Sequence, residues 1–238
     1  MRKIAVLQSN YLPWKGYFDI IHDVDEFIFY DEVQYTKNDW RNRNRIYSDR
    51  GLQWITVPVE GHIAQSIDEV EIVQDKWPQK HFNALVTNYS KAPFFARYRS
   101  FFEYVYLERK WTFLYELNRY LIQVISREFL GIKTVFSDSR SYVSEGSGHR
   151  KLLSLLQSAG AEYYVSGPAA KDYIIAEDYE KAGIELHWKD YSRYPVYPQL
   201  HEPFEHSVSI LDLLFNTGPD APYYIWCVPI SLSQSSEK

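Results

Sequence analysis

The hydrophobic positions of this chain change period several times. Residues 3–8, KIAVLQ, form a short continuous apolar run, which predicts a strand buried on both faces of a parallel sheet. Residues 16–24, GYFDIIHDV, then place apolar side chains at Tyr17, Ile20, Ile21 and Val24, a helical spacing. Residues 26–31, EFIFYD, return to an apolar run of strand length. A strand, a helix and a strand in so short a stretch favour a right-handed parallel crossover. QWITVPV (53–59) and VEIV (70–73) predict further strands, at a sheet margin because Pro58 cannot donate to a ladder.

Helical spacing dominates residues 77–131, with Pro78 and Pro93 near helix starts and Gly131 just past an end. Alternation resumes with KTVFS (133–137) as a strand, a helix over 147–160 stopped by Gly160, and strands in AEYYVSG (161–167) and IELHW (184–188). SVSILDLLFNTG (207–218) predicts a helix with Ser209 and Asp212 at capping-box spacing and Gly218 as its stop. The fold class expected is α/β, a Rossmann-like, mainly parallel sheet with a helical insertion at 77–131. One domain over 1–230 and a loose polar tail at 231–238 complete the expected organisation.

Composition narrows the partners. A net charge of -5 argues against general nucleic-acid binding, while leaving room for a local basic patch. The single Cys227 excludes an internal disulfide or a cysteine zinc cluster, and seven histidines are scattered without ligand spacing, so no metal site is expected. The opening apolar run stops near Leu7 and no window approaches a membrane span, so the expectation is a cytoplasmic protein with no membrane partner. The 21 tyrosines and 7 tryptophans exceed the needs of a core, which points to aromatic side chains at a sugar or base site.

Three stretches follow predicted strand ends, where open α/β sheets bind ligands. LQSNYLPWKGYFDII (7–21) carries Gln8, Tyr11, Trp14, Gly16 and Tyr17, and Gly16 at the helix start would let the backbone approach a phosphate or base. The alternative there is a tight turn with packed aromatics. YDEVQYTKNDWRNRNR (30–45) sets Lys37, Arg41, Arg43 and Arg45 among Trp40, Asn42 and Asn44, as a clamp for phosphate or carboxylate or as a solvated loop. YVSGPAAKDY (164–173) offers Ser166, Gly167 and Lys171 to a phosphate, or serves as an ordinary connection. P-loop, G-x-G-x-x-G, G-x-S-x-G and H-x-x-x-H patterns are all absent.

The segments LQSNYLPWKGYFDIIHDVDEFIFYDEVQYTKNDWRNRNRI, QWITVP, YYVSGPAAKDY and YPQLHEPFEHSVSILDLLFNTG together resemble the WbqC-like family, in the same order and across nearly the whole chain. Ser9 departs from the proline more usual in that family. The resemblance implies a role in O-antigen or other surface-polysaccharide biosynthesis, including attachment of glycine to an amino sugar. A more distant likeness, through WKGY (14–17) and DEVQY (31–35), is to pantothenate-synthetase-type HIGH-motif enzymes, which activate a carboxylate with ATP and pass the acyl group to an amine. Trp14 and Tyr17 stand where that family has its signature histidines.

The expected function is therefore amide formation between glycine or a similar acyl group and an amino sugar. Asp31 and Gln34 would handle the amine, Arg41 and Arg43 would hold negative charge, and Gln8, Tyr11, Trp14, Gly16, Tyr17, Trp40 and Asn42 would line one wall. Ser166, Gly167 and Lys171 would form the opposite rim. ATP with Mg²⁺ is the expected cofactor if the carboxylate is activated in place. A thioester or aminoacyl-tRNA donor, or a non-catalytic sugar-nucleotide-binding protein, remains as an alternative.

Overall fold

The computed structural model describes residues 1–62 and 64–227. The tail expected at 231–238 lies outside them. Among the described residues the strands are β1 (Lys3–Leu7), β2 (Glu26–Phe29), β3 (Arg43–Ser48), β4 (Gly51–Thr56), β5 (Val135–Asp138), β6 (Tyr163–Ser166) and β7 (Glu185–Trp188). One sheet runs in the order β5-β2-β1-β6-β7 with every neighbouring pair parallel. This is an α/β, Rossmann-like architecture. The order reverses between β1 and β6, which makes the carboxyl ends of these two strands the switch point where such sheets bind ligands.

The helices are α1 (Lys15–His22), α2 (Trp77–Tyr89), α3 (Phe95–Glu103), α4 (Leu114–Val124), α5 (Gly148–Ser158), α6 (Ala176–Lys181), α7 (Ile210–Thr217) and α8 (Tyr223–Trp226). α3 and α4 each run on into a wider π turn, over Tyr104–Glu108 and Ile125–Phe129. Strand periodicity sorts the core. Ile4, Val6 and Ile28 pack with Leu152, Leu155 and Leu156 of α5, while Ala5, Phe27 and Phe29 belong to the larger core built with α1, α4 and α7. Each large side chain fully buried in these layers contributes about 1.5 to 3 kcal/mol, so both faces hold the sheet in place. Gly218 stops α7 at a φ of 55°, and a Cβ there would sit 2.3 Å from the Phe94 ring.

Three expectations change. The end of the basic stretch is a strand: β3 pairs antiparallel with β4, and Arg43 and Arg45 alternate with inward Asn44 and Ile46, the two-residue period of a half-buried strand. Residues 70–73 form no strand but isolated bridges, Val59 to Ile72 and Glu71 to Phe113, because their backbone groups are shared between separate segments. Asp212 does not close a capping box. Its carboxylate turns into the core and accepts from the Tyr89 and Tyr197 hydroxyls at 3.0 and 2.9 Å, leaving Ser209 alone to accept from the Leu211 N–H.

Candidate functional site

The ends of β1, β2 and β5 are stitched together by charge. Asp31, one turn of chain past β2, is fully buried, and its Oδ1 accepts from the Ser9 N–H at 2.7 Å. Its Oδ2 accepts from Arg119 Nε of α4 at 2.6 Å, and Arg119 also donates to Asp138 at the end of β5. Burial raises the Asp31 pKa, opposed by the Arg119 charge and the Ser9 amide. Burial also works against ionisation of Asp138, but Arg140 and Arg119 outweigh it and hold that pKa below the usual carboxylate range. Asp31 is the group expected to take a proton from a substrate amine; in the structure both its oxygens accept from groups inside the protein, the Ser9 amide and Arg119.

Arg41 is the opposite case. Its Nη1 donates to Asn10 Oδ1 at 2.5 Å and its Nη2 to Gln8 Oε1 at 2.6 Å, both neutral amides just past β1. The nearest carboxylate, Asp39, stands 3.7 Å away, and the buried Nε has no partner. A guanidinium held by neutral oxygens keeps most of its charge available. The two amides it grips face different cavities. Gln8 lines a cleft of about 660 Å³ with Tyr30, Glu32, Gln34 and Tyr173, and the N-terminus of α5 closes it with Gly146, Ser147, Gly148, His149 and Lys151. Asn10 lines a smaller pocket of about 260 Å³ with Pro13, Trp14, Trp40, Asn44 and Arg45.

Of the other expected site residues, Gln34 stands exposed on the rim of the large cleft, while Trp14 and Trp40 wall the small pocket. Arg43 lies with its guanidinium 4.3 Å over the Trp54 ring and donates to the Asn38 carbonyl. Tyr11 points away into the helical layer, where its hydroxyl meets His81 Nδ1 at 2.8 Å and the Tyr106 hydroxyl. Tyr17 braces the turn by donating to the Gln8 carbonyl at 2.8 Å. Gly16 does not open the helix start to a ligand, because the Trp14 indole fills the space: a Cβ would sit 2.3 Å from it. Asn42 extends the hairpin by donating to the Val57 carbonyl at 2.9 Å.

Ser166 ends β6 on the same sheet edge but is buried; Gly167 lies against the Tyr191 hydroxyl, and Lys171 is exposed over the Trp188 ring. None of the three lines the large cleft, whose far rim comes from Tyr173, Ile175 and the α5 start.

Arg119 and His149 had no place in the sequence reading, whereas Arg45 stood in its basic clamp. R-x-R-x-R at 41–45 carried a signal, since alternate arginines are strand spacing. The other two had none, because tertiary packing alone brings Arg119 to Asp31. Lys15 is only 3% exposed, with its Nζ 3.0 Å from His206 Nδ1 and over the rings of Tyr194, Tyr197 and Phe204. Burial lowers its pKa to about 8, against a smaller upward pull from Asp212. Burial and then the Lys15 charge lower His206.

Among the described residues no group of three or more His, Cys, Asp or Glu is placed to hold a metal ion, and no helix is long and apolar enough to cross a membrane. The large cleft sets the start of α5 beside Lys151, which pairs with Glu32 at 3.3 Å, and His149, whose Nε2 faces Asp178 at 3.5 Å and whose buried Nδ1 has no partner. Comparison with known proteins gives one family: the model of the WbqC-like protein family matches residues 8–224. A relative from Mycobacterium tuberculosis (strain ATCC 25618 / H37Rv), "Uncharacterized protein Rv1507c", is 48% identical over 227 residues, covering 94% of this chain and 98% of that one. No solved structure matches.

Proposed function

The chain belongs to the WbqC-like protein family, and from that premise we propose that it is an amide-forming enzyme joining glycine or a similar acyl group to an amino sugar. The observation that carries this reading is the position of Arg41, whose guanidinium grips Gln8 of one cavity and Asn10 of the other. A cation that holds one residue of each cavity, and whose one acid partner, Asp39, stands 3.7 Å away, suits a reaction of two substrates in which negative charge develops between them.

The large cleft takes the donor side. With ATP as co-substrate, the carboxylate would take a phosphoryl or adenylyl group as ADP or pyrophosphate leaves, and the amine would then displace phosphate or AMP as the C–N bond forms and a proton passes to water. The α5 amides, Lys151 and His149 would hold the phosphates, and Glu32, 3.3 Å from Lys151, is the cleft carboxylate that could take a Mg²⁺. Arg41 orients the carboxylate and stabilises its oxygen as the amine attacks. The amino sugar enters from the small pocket. Asp31 takes no part beyond holding the Ser9 amide and Arg119 in register.

Mass spectrometry of the protein incubated with ATP-Mg²⁺, glycine and a nucleotide-linked amino sugar tests this directly. The expected result is the glycyl amide together with AMP or ADP. Amide formed only from a glycyl thioester or glycyl-tRNA would replace the ATP-dependent step. No amide from any of these donors would return the protein to a binding role.

A further inference from the structure

The outer face of the β3–β4 hairpin has no place in the donor cleft, yet it concentrates cations and exposed aromatics. Arg43 and Arg45 share this face because strand side chains alternate, and Arg45 stands directly opposite Trp54. Trp54 and Trp40 are 44% and 41% exposed, with ring centroids 5.5 Å apart. The Arg45 guanidinium lies 5.7 and 5.6 Å from the Trp40 and Trp54 rings. Among the described residues neither Arg43 nor Arg45 has a carboxylate within ion-pair distance, and the Nε atoms of both are enclosed without an acceptor. A solvated arginine face in a chain of net charge -5 would be expected to draw in its own acids.

We propose that this face, with the small pocket at its foot, binds a glycosyl phosphate: the sugar ring against Trp40 and Trp54, the phosphate on Arg43 and Arg45. Two features select that chemistry. The pocket joins apolar walls, Pro13, Trp14 and Trp40, to the polar Asn10 and Ser207, as a ring with C–H faces and a hydroxyl rim requires. The unpaired guanidinium groups ask for an anion that bidentate donors recognise. The inference names the acceptor class for the reaction proposed above, but it stands on the hairpin and is tested without that reaction.

The experiment is calorimetric titration, without ATP or acyl donor, of glucosamine 1-phosphate, free glucosamine and inorganic phosphate. The sugar phosphate is expected to bind at least about tenfold more tightly than either part, and Arg45→Met or Trp54→Leu each to weaken it by about tenfold, the size of one charge-assisted pair or one stacked ring. Lys151→Met, in the large cleft, is expected to leave that binding unchanged. Tighter binding of UDP-glucosamine would mark a nucleotide-linked source, and tighter binding of a farnesyl-diphosphate-linked glucosamine a lipid-linked one. No binding of any sugar phosphate overturns the assignment. So does binding that survives Arg45→Met and Trp54→Leu but is lost in Lys151→Met. Amide formation observed without hairpin binding would remove this site and leave the reaction; hairpin binding without turnover would do the reverse.

Discussion

Two groups of arginines lie within one sheet edge of each other and are built in opposite ways. Arg119 is sealed between Asp31 and Asp138, with its charge fully answered. Arg41, Arg43 and Arg45 sit on neutral carbonyls, amides and indole faces, with Asp39 at 3.7 Å from Arg41 as their closest acid among the described residues. The same residue type therefore does two jobs. A buried cation with two carboxylates closes a circuit inside the fold, whereas three cations with Asp39 as their one nearby acid leave charge for something that is not the protein.

Breaking the sealed group should have the largest effect. Arg119→Met leaves Asp31 buried without its ion-pair partner and is expected to cost about 3 to 5 kcal/mol of stability, read by urea unfolding. A loss below about 1 kcal/mol would show that the circuit is not what holds the strand ends.

Lys15 sharpens the contrast as a third case, a cation that is sealed but has no carboxylate in contact. Its folded pKa of about 8 lies below the unfolded value, so the folded state carries a penalty below pH 8 that fades as pH rises toward the unfolded value. Wild type should therefore gain about 2 kcal/mol relative to Lys15→Met between pH 7 and pH 10. A stability difference that stays flat with pH would mean that Lys15 keeps an ordinary pKa. The smallest effect is expected on the open face: Arg43→Met and Arg45→Met should each change stability by less than about 0.5 kcal/mol.

Legibility followed period. β1, β2, β5, β6 and β7, and helices α1, α5 and α7, lie where apolar spacing put them, because each buries a face whose repeat is written in consecutive residues. β3 escaped because its outward positions are arginines and one inward position is Asn44, whose amide donates to the Tyr11 and Leu12 carbonyls instead of supplying apolar contact. The site divided along the same line. Gln8, Trp14 and Trp40, singled out by their place after strand ends, line the two cavities, whereas the engagement of Asp31 by Arg119 depends on α4 arriving from 88 residues away. Gly16 misled because a glycine at a helix start has two uses, and here the neighbouring indole takes the space.

The central claim is that Arg41 holds charge for a ligand and not for the fold. Thermal melting of wild type and Arg41→Met, each with and without ATP-Mg²⁺ and glucosamine 1-phosphate, tests it most directly. The prediction is a ligand-free melting temperature close to wild type and a ligand-induced rise that is largely lost, matching a binding deficit of about 2 to 5 kcal/mol. A ligand-free melting temperature that falls as far as that of Arg119→Met, or a ligand-induced rise that survives intact, would contradict it.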